Sequence, residues 1–207
     1  MPTPKRKISK KGEFTLEEYL EFERNSETRH EYFDGEIRQM AGESGEHADI
    51  SSNLIRLIGN SLYDTNCRVR AKDTKVRSGF MPPKSPLKKG MISYPDLVVI
   101  CGEPEYHDKH RDVVLNPRVI IEILSESTAE FDRTDKFHRY QVCNPTLTDY
   151  VLVSQDKYLV EHFIKQADGT WKYFYFNSLD SQLTIDSINC ALRLADIFYL
   201  IKFPKSK

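Results

Sequence analysis

Residues 118–124 read Arg118-Val119-Ile120-Ile121-Glu122-Ile123-Leu124. A short apolar run rich in β-branched residues predicts a core strand over 119–124. Glu122 stands inside it with apolar neighbours on both sides. A lone carboxylate in that setting is costly, so it must be paired, protonated or bound to a cation. Working outward, two further apolar runs at 96–101 and 150–153 predict companion strands. The first opens with Pro95-Asp96, and proline is tolerated at a strand start, where its missing N–H matters least.

Between the second and third of these strands the spacing predicts a helix from Ser127 to about Tyr140, packing through Phe131, Phe137 and Tyr140. Runs at 158–165 and 171–176 predict a hairpin turned at Ala167-Asp168-Gly169, and a short helix over 194–200 follows. Toward the N-terminus, Thr15-Leu16-Glu17-Glu18 carries a capping-box signal for a first helix. Asp34-Gly35 between two extended runs predicts a tight hairpin. A second helix is predicted over 47–63, with Ile50, Leu54, Leu57, Ile58 and Leu62 on one side, and then a basic strand over 67–77. Three prolines and two glycines make 79–91 a loop. Strands gathered around one long helix, with no linker and no repeat, point to an α/β or α+β fold with a mixed central sheet. The expected organisation is one domain over 14–203 behind a flexible basic tail at 1–13.

Composition narrows the function. No stretch nears the ~18 consecutive apolar residues of a membrane span, and the start lacks a secretory apolar region, so a cytoplasmic protein is expected. Eleven Phe and eleven Tyr exclude wholesale disorder, because such residues build cores. Cys67, Cys101, Cys143 and Cys190 form no closely spaced pair, so they read as reduced core cysteines rather than as a zinc or redox motif. The net charge of −1 conceals an asymmetry. Residues 13–67 hold thirteen acids against four bases, whereas 68–89 hold eight bases (Arg68, Arg70, Lys72, Lys75, Arg77, Lys84, Lys88, Lys89) against Asp73. That basic segment either follows a phosphate backbone or keeps strand edges soluble.

The chemistry centres on acids. Asp96 and Glu122, on neighbouring core strands, can converge on one hard divalent cation such as Mg²⁺ or Mn²⁺. Glu31 is a candidate third carboxylate, and Lys136, on the helix after Glu122, can face the acids. His107 and His110 read as exposed loop residues. His47 reads as a helix-start residue, and the aromatic run at 171–176 as hairpin core.

The blocks Tyr94-Pro95-Asp96-Leu97-Val98-Val99-Ile100, Asn116 through Thr128, and Asp132-Arg133-Thr134-Asp135-Lys136-Phe137-His138-Arg139-Tyr140 resemble the Uma2 family. That family is part of the PD-(D/E)XK, restriction endonuclease-like superfamily. The early segments around Leu16-Glu17-Glu18-Tyr19-Leu20 and His30–Ile37 are similar too, as is His47. The resemblance spans roughly residues 14 to 200. It implies a restriction endonuclease-like mixed sheet flanked by helices, here with an additional C-terminal hairpin.

Carried over, Asp96 matches the PD acid, Glu122 the (D/E)XK acid and Glu31 an upstream acid near the metal. The motif lysine should stand at 124, where this chain has Leu124. The resemblance implies that a lysine from the following helix takes its place, and Lys136 is the candidate. Asp96, Glu122 and the Ile123 carbonyl would hold Mg²⁺ or Mn²⁺. Arg68, Arg70, Lys72, Lys75, Arg77 and Tyr140 would meet DNA, and the superfamily's habit implies a homodimer. Leu124 leaves a second reading open, in which a nuclease-fold module binds or regulates without turnover.

Overall fold

The computed structural model describes residues 14–40, 42–78 and 90–203. The expected tail at 1–13, most of the 79–91 loop, and Lys84, Lys88 and Lys89 lie outside the described residues. Helix α1, Leu16–Arg24, starts on the expected capping box: the Thr15 hydroxyl accepts the Glu18 N–H at 3.2 Å and the Glu18 carboxylate accepts the Thr15 N–H at 2.7 Å. Its apolar face (Leu16, Tyr19, Leu20) packs on Tyr32, Ile37 and Ile92. The hairpin β1, His30–Phe33, and β2, Glu36–Gln39, turns at Asp34 and Gly35, whose φ values of 51° and 92° are those of a primed turn. Helix α2, Gly45–Ser61, buries Ile50, Leu54 and Ile58.

Then follow β3 (Cys67–Ala71), β4 (Lys75–Ser78), β5 (Met91–Ser93), β6 (Leu97–Cys101), β7 (Val113–Val114) and β8 (Val119–Leu124). A helical segment runs from α3, Ala129–Phe131, through a π-helical turn, Asp132–Lys136, into α4, Phe137–Cys143. The chain continues as β9 (Asp149–Ser154), β10 (Val160–Lys165), β11 (Trp171–Phe176), β12 (Gln182–Ile185), β13 (Cys190–Arg193) and α5 (Leu194–Ile197). No helix of the described residues is long and apolar enough to cross a membrane.

Two sheets carry the site. The larger is mixed, in the order β11-β10-β9-β8-β6-β3, with β8 and β9 parallel and the other pairs antiparallel. The second, β2-β1-β5-β4-β7, brings the early hairpin alongside. The basic run at 67–77 is therefore two strands. Lys72 adopts a left-handed φ of 51°, and the chain leaves the six-stranded sheet there for the five-stranded one. Alternation across the break persists, which is why a single strand is predicted from sequence.

Every residue of β8 is buried. Alternation sorts its side chains. Val119, Ile121 and Ile123 join α2 and α5 in one core cluster, while Ile120 and Leu124 join Phe137, Tyr140, Tyr150 and Leu152 in another. Glu122 shares the second face, toward the π turn and α4.

The cysteine reading is corrected. Cys67 and Cys101 sit directly opposite each other on β3 and β6 and form a disulfide, while Cys143 and Cys190 are buried. Thirty-four residues separate the bonded pair in sequence, so only strand register brings them together.

Candidate active site

A cleft of about 760 Å³ opens between the two sheets and is floored by Glu31, Asp96, Glu122, Asp132 and Lys136. Each arrives for a local reason. Continuing the antiparallel Leu97–Ile121 register by one residue sets Asp96 opposite Glu122. The Asp96 Oδ2 accepts the Ile123 N–H at 2.7 Å, which fixes the carboxylate against β8 beside Glu122. In a strand, the N–H and C=O of one residue point the same way, so the Ile123 carbonyl looks toward Asp96 as well. Asp96 Oδ1 lies 2.8 Å from His47 Nε2, at the start of α2.

Lys136 comes from the π turn, a feature often found at functional sites. Its Nζ lies 2.9 Å from Glu122 Oε1, 3.2 Å from Glu31 Oε1 and 3.3 Å from Asp132 Oδ1. Glu31 also accepts the Tyr94 N–H at 3.2 Å. Glu122 and Lys136 are only 3% and 4% exposed, so their charges are barely screened by water.

One ammonium serves three carboxylates, with Asp96 close by. Burial pushes the Glu122 carboxyl well above the usual range; Lys136 opposes the rise, and Asp132, Asp96 and Glu31 add to it. Burial works against the Lys136 charge, yet Glu122, Glu31 and Asp132 outweigh it and hold the ammonium well above its ordinary value. For His47, burial is outweighed by the bond to Asp96 and by the charges of Asp96 and Glu43, so its pKa is raised.

This donor set suits a hard divalent cation: two carboxylates, a backbone carbonyl and a local excess of negative charge. Among the described residues no group of three or more His, Cys, Asp or Glu side chains is arranged as a ready-made metal cage. Mg²⁺ is held through one or two carboxylates and retains several waters, so it needs no such cage.

The structure brings Asp96, Glu122, Ile123, Lys136 and Glu31 to one cleft. It does not gather the predicted nucleic-acid residues there. Of these only Lys72 lines the cleft, paired with Glu43. Arg68 and Arg70 stand on β3, bonded to the Gly102 carbonyl and the Tyr106 hydroxyl. Lys75 is buried against Asp112 at 3.0 Å, and Arg77 meets the His107 ring. Tyr140 is fully buried, its hydroxyl 2.6 Å from Ser93 Oγ and 3.5 Å from Glu122. Sequence reasoning passed over two cleft residues, His47 and Asp132. His47 is similar to the family but otherwise reads as a helix-start residue, and Asp132 enters the sequence reading only as the first residue of the block ending at Tyr140.

Three comparisons bear on this arrangement. The family model "Uma2: Putative restriction endonuclease" matches residues 16–195. Two proteins of Synechocystis sp. are similar in sequence. "Uncharacterized protein sll1609" is 34% identical over 76% of this chain and 84% of its own length. "Uncharacterized protein slr1290" is 32% identical over 88% and 90%. The crystal structure of "a putative nuclease belonging to DUF820" from Anabaena variabilis superposes with a TM-score of 0.68 at 20% identity. It covers 89% of this chain and 97% of that one, and shows the same fold.

Proposed function

The chain belongs to the Uma2 family, and on that premise we propose that it is an endonuclease that hydrolyses DNA phosphodiester bonds with Mg²⁺ or Mn²⁺. The observation that carries the reading is Lys136 Nζ at 2.9 Å from Glu122, in the cleft where Asp96 is bonded to the Ile123 N–H. Leu124 vacates the usual lysine position, and Lys136 supplies an ammonium from the following helix. This favours turnover over a silent binding module.

Asp96, Glu122 and the Ile123 carbonyl would hold the ion. When bound, it supplies Lewis acidity toward phosphate oxygens and makes water more acidic. The chain's own groups do the rest. Lys136 keeps its proton at Nζ and orients the attacking water or neutralises the phosphate. Glu31 and Asp132 fix that ammonium, and His47 holds Asp96 in one orientation. Two strands of a duplex call for two such clefts, and a pair of copies would supply them; a monomeric mass by light scattering at working concentration would remove that part.

The test is cleavage of supercoiled and linear DNA with Mg²⁺ or Mn²⁺, beside Asp96→Ala, Glu122→Gln and a chelator control. The expected result is nicking by the wild type alone. Equal cleavage by all three proteins, or none by any, would overturn the reading.

A further inference from the structure

Arg38 sits in the acidic part of the sequence, and no motif singles it out. Strand pairing gives it a place. Glu31 and Arg38 are directly opposed in the β1–β2 register, as are Phe33 and Glu36, so these four side chains share one face of the hairpin. Arg38 therefore stands beside the floor acid Glu31 and lines the cleft. Its guanidinium lies 4.9 Å from the Phe33 ring centroid and 5.2 Å from that of Phe131. Those rings meet edge-on at 5.1 Å, and the Arg139 guanidinium also lies over Phe33, 3.9 Å from its centroid, while pairing with Asp34. Glu36 bonds the Nε and Nη2 edge at 3.2 and 2.9 Å. Among the described residues none hydrogen-bonds Nη1, and the side chain is 40% exposed.

A guanidinium held by two aromatic rings and one carboxylate has lost much of its rotamer freedom before any ligand arrives. It lines the cleft together with Arg29 and Lys72, which are themselves paired with Asp73 and Glu43. The acidic floor repels an anion unless a cation lies beside it, and Arg38 is on the face that adjoins Glu31.

We propose that Arg38 is a phosphate-binding residue of the cleft, taking a backbone phosphate of double-stranded DNA beside the one over the acidic floor. This deepens the nuclease reading and rests on it for the identity of the ligand. Arg68 and Arg70, on the outer strand of the other sheet, have no part in this contact.

The experiment is fluorescence anisotropy of a short fluorescein-labelled duplex, with Ca²⁺ replacing Mg²⁺ to hold back turnover. It compares wild type, Arg38→Gln, Arg38→Lys and Arg193→Ala, the last an exposed arginine paired with Asp196. Arg38→Gln should weaken binding about tenfold and lower the slope of log affinity against log salt by about one. Arg38→Lys, with the same charge and an aliphatic stem, should restore the slope but only part of the affinity, because an ammonium neither stacks nor forks. Arg193→Ala should match wild type. Thermal melts of each variant identify a folding defect, and Arg38→Lys keeps the test valid if Arg38→Gln fails to fold. Wild-type affinity and slope in folded Arg38→Gln, or full affinity in Arg38→Lys, would overturn the proposal. Cleavage in Mg²⁺ with unaltered Arg38→Gln binding would sink this site and leave the nuclease reading intact. Loss of binding in Arg38→Gln without any wild-type cleavage would do the reverse. A wild type that does not bind duplex would end both.

Discussion

The two faces of β8 take three of its six residues each and put them to opposite ends. Val119, Ile121 and Ile123 meet Ile50, Leu54 and Ile58 in a wholly apolar cluster. Two residues of the other face, Ile120 and Leu124, are equally apolar, yet between them Glu122 meets Lys136, whose ammonium also pairs with Asp132 and Glu31. Replacing buried ionic groups by apolar ones is often neutral or stabilising. The charged face is therefore not explained by folding, and the difference between the faces is what marks the site.

The sharpest way to separate the faces is to neutralise Glu122. In Glu122→Gln, DNA cleavage should fall about a thousandfold, the loss of several kcal/mol of transition-state stabilisation. Stability in urea should stay within about 1 kcal/mol of wild type, because an amide is cheaper to bury than a carboxylate. Lys136→Met should show the converse cost. It leaves the buried Glu122 and Asp132 and the half-buried Glu31 without their cation, and urea unfolding should reveal a loss of about 3–5 kcal/mol. On the apolar face, Ile121→Ala should cost about 3 kcal/mol through lost burial and a cavity, while cleavage per folded molecule is retained. A parallel fall in cleavage and stability for Ile121→Ala would erase the distinction between the faces.

The smallest effect concerns pH, on neighbouring β9. Burial raises the Asp149 carboxyl, but bonds from His162, Ser187 and Thr148 outweigh it and hold the pKa below its ordinary 3.8. A carboxyl lowered by folding contributes stability above its unfolded pKa and loses it as pH falls through the folded one. Stability measured between neutral pH and about pH 3 should thus fall less steeply in Asp149→Asn. An unchanged slope would contradict the assigned network.

Legibility followed the range of the interactions. The Thr15–Glu18 capping box, the Asp34-Gly35 turn and the 119–124 strand were legible because their causes lie within a few residues. β5 and β7 span three and two residues, too few to display alternation. The Cys67–Cys101 bond, the 67–77 break, and the pairing of His47 with Asp96 depend on contacts between strands or helices distant in sequence. Glu122 and Asp96 were legible because an acid within or opening an apolar strand is anomalous, whereas Asp132, on a polar helical stretch, was not. The convergence of Glu122 and Asp96 was an expectation of the neighbouring strands and of the family blocks alike, while the basic residues at 68–77 divide between two sheets, where each finds its own partner.

The most direct test of the central claim is anomalous diffraction from a crystal soaked in Mn²⁺. The account predicts a peak about 2.1 Å from the Asp96 and Glu122 carboxylate oxygens, with Lys136 still near Glu122. A crystal in which Mn²⁺ binds elsewhere, or in which the Lys136 ammonium alone fills the space between these carboxylates, would contradict it.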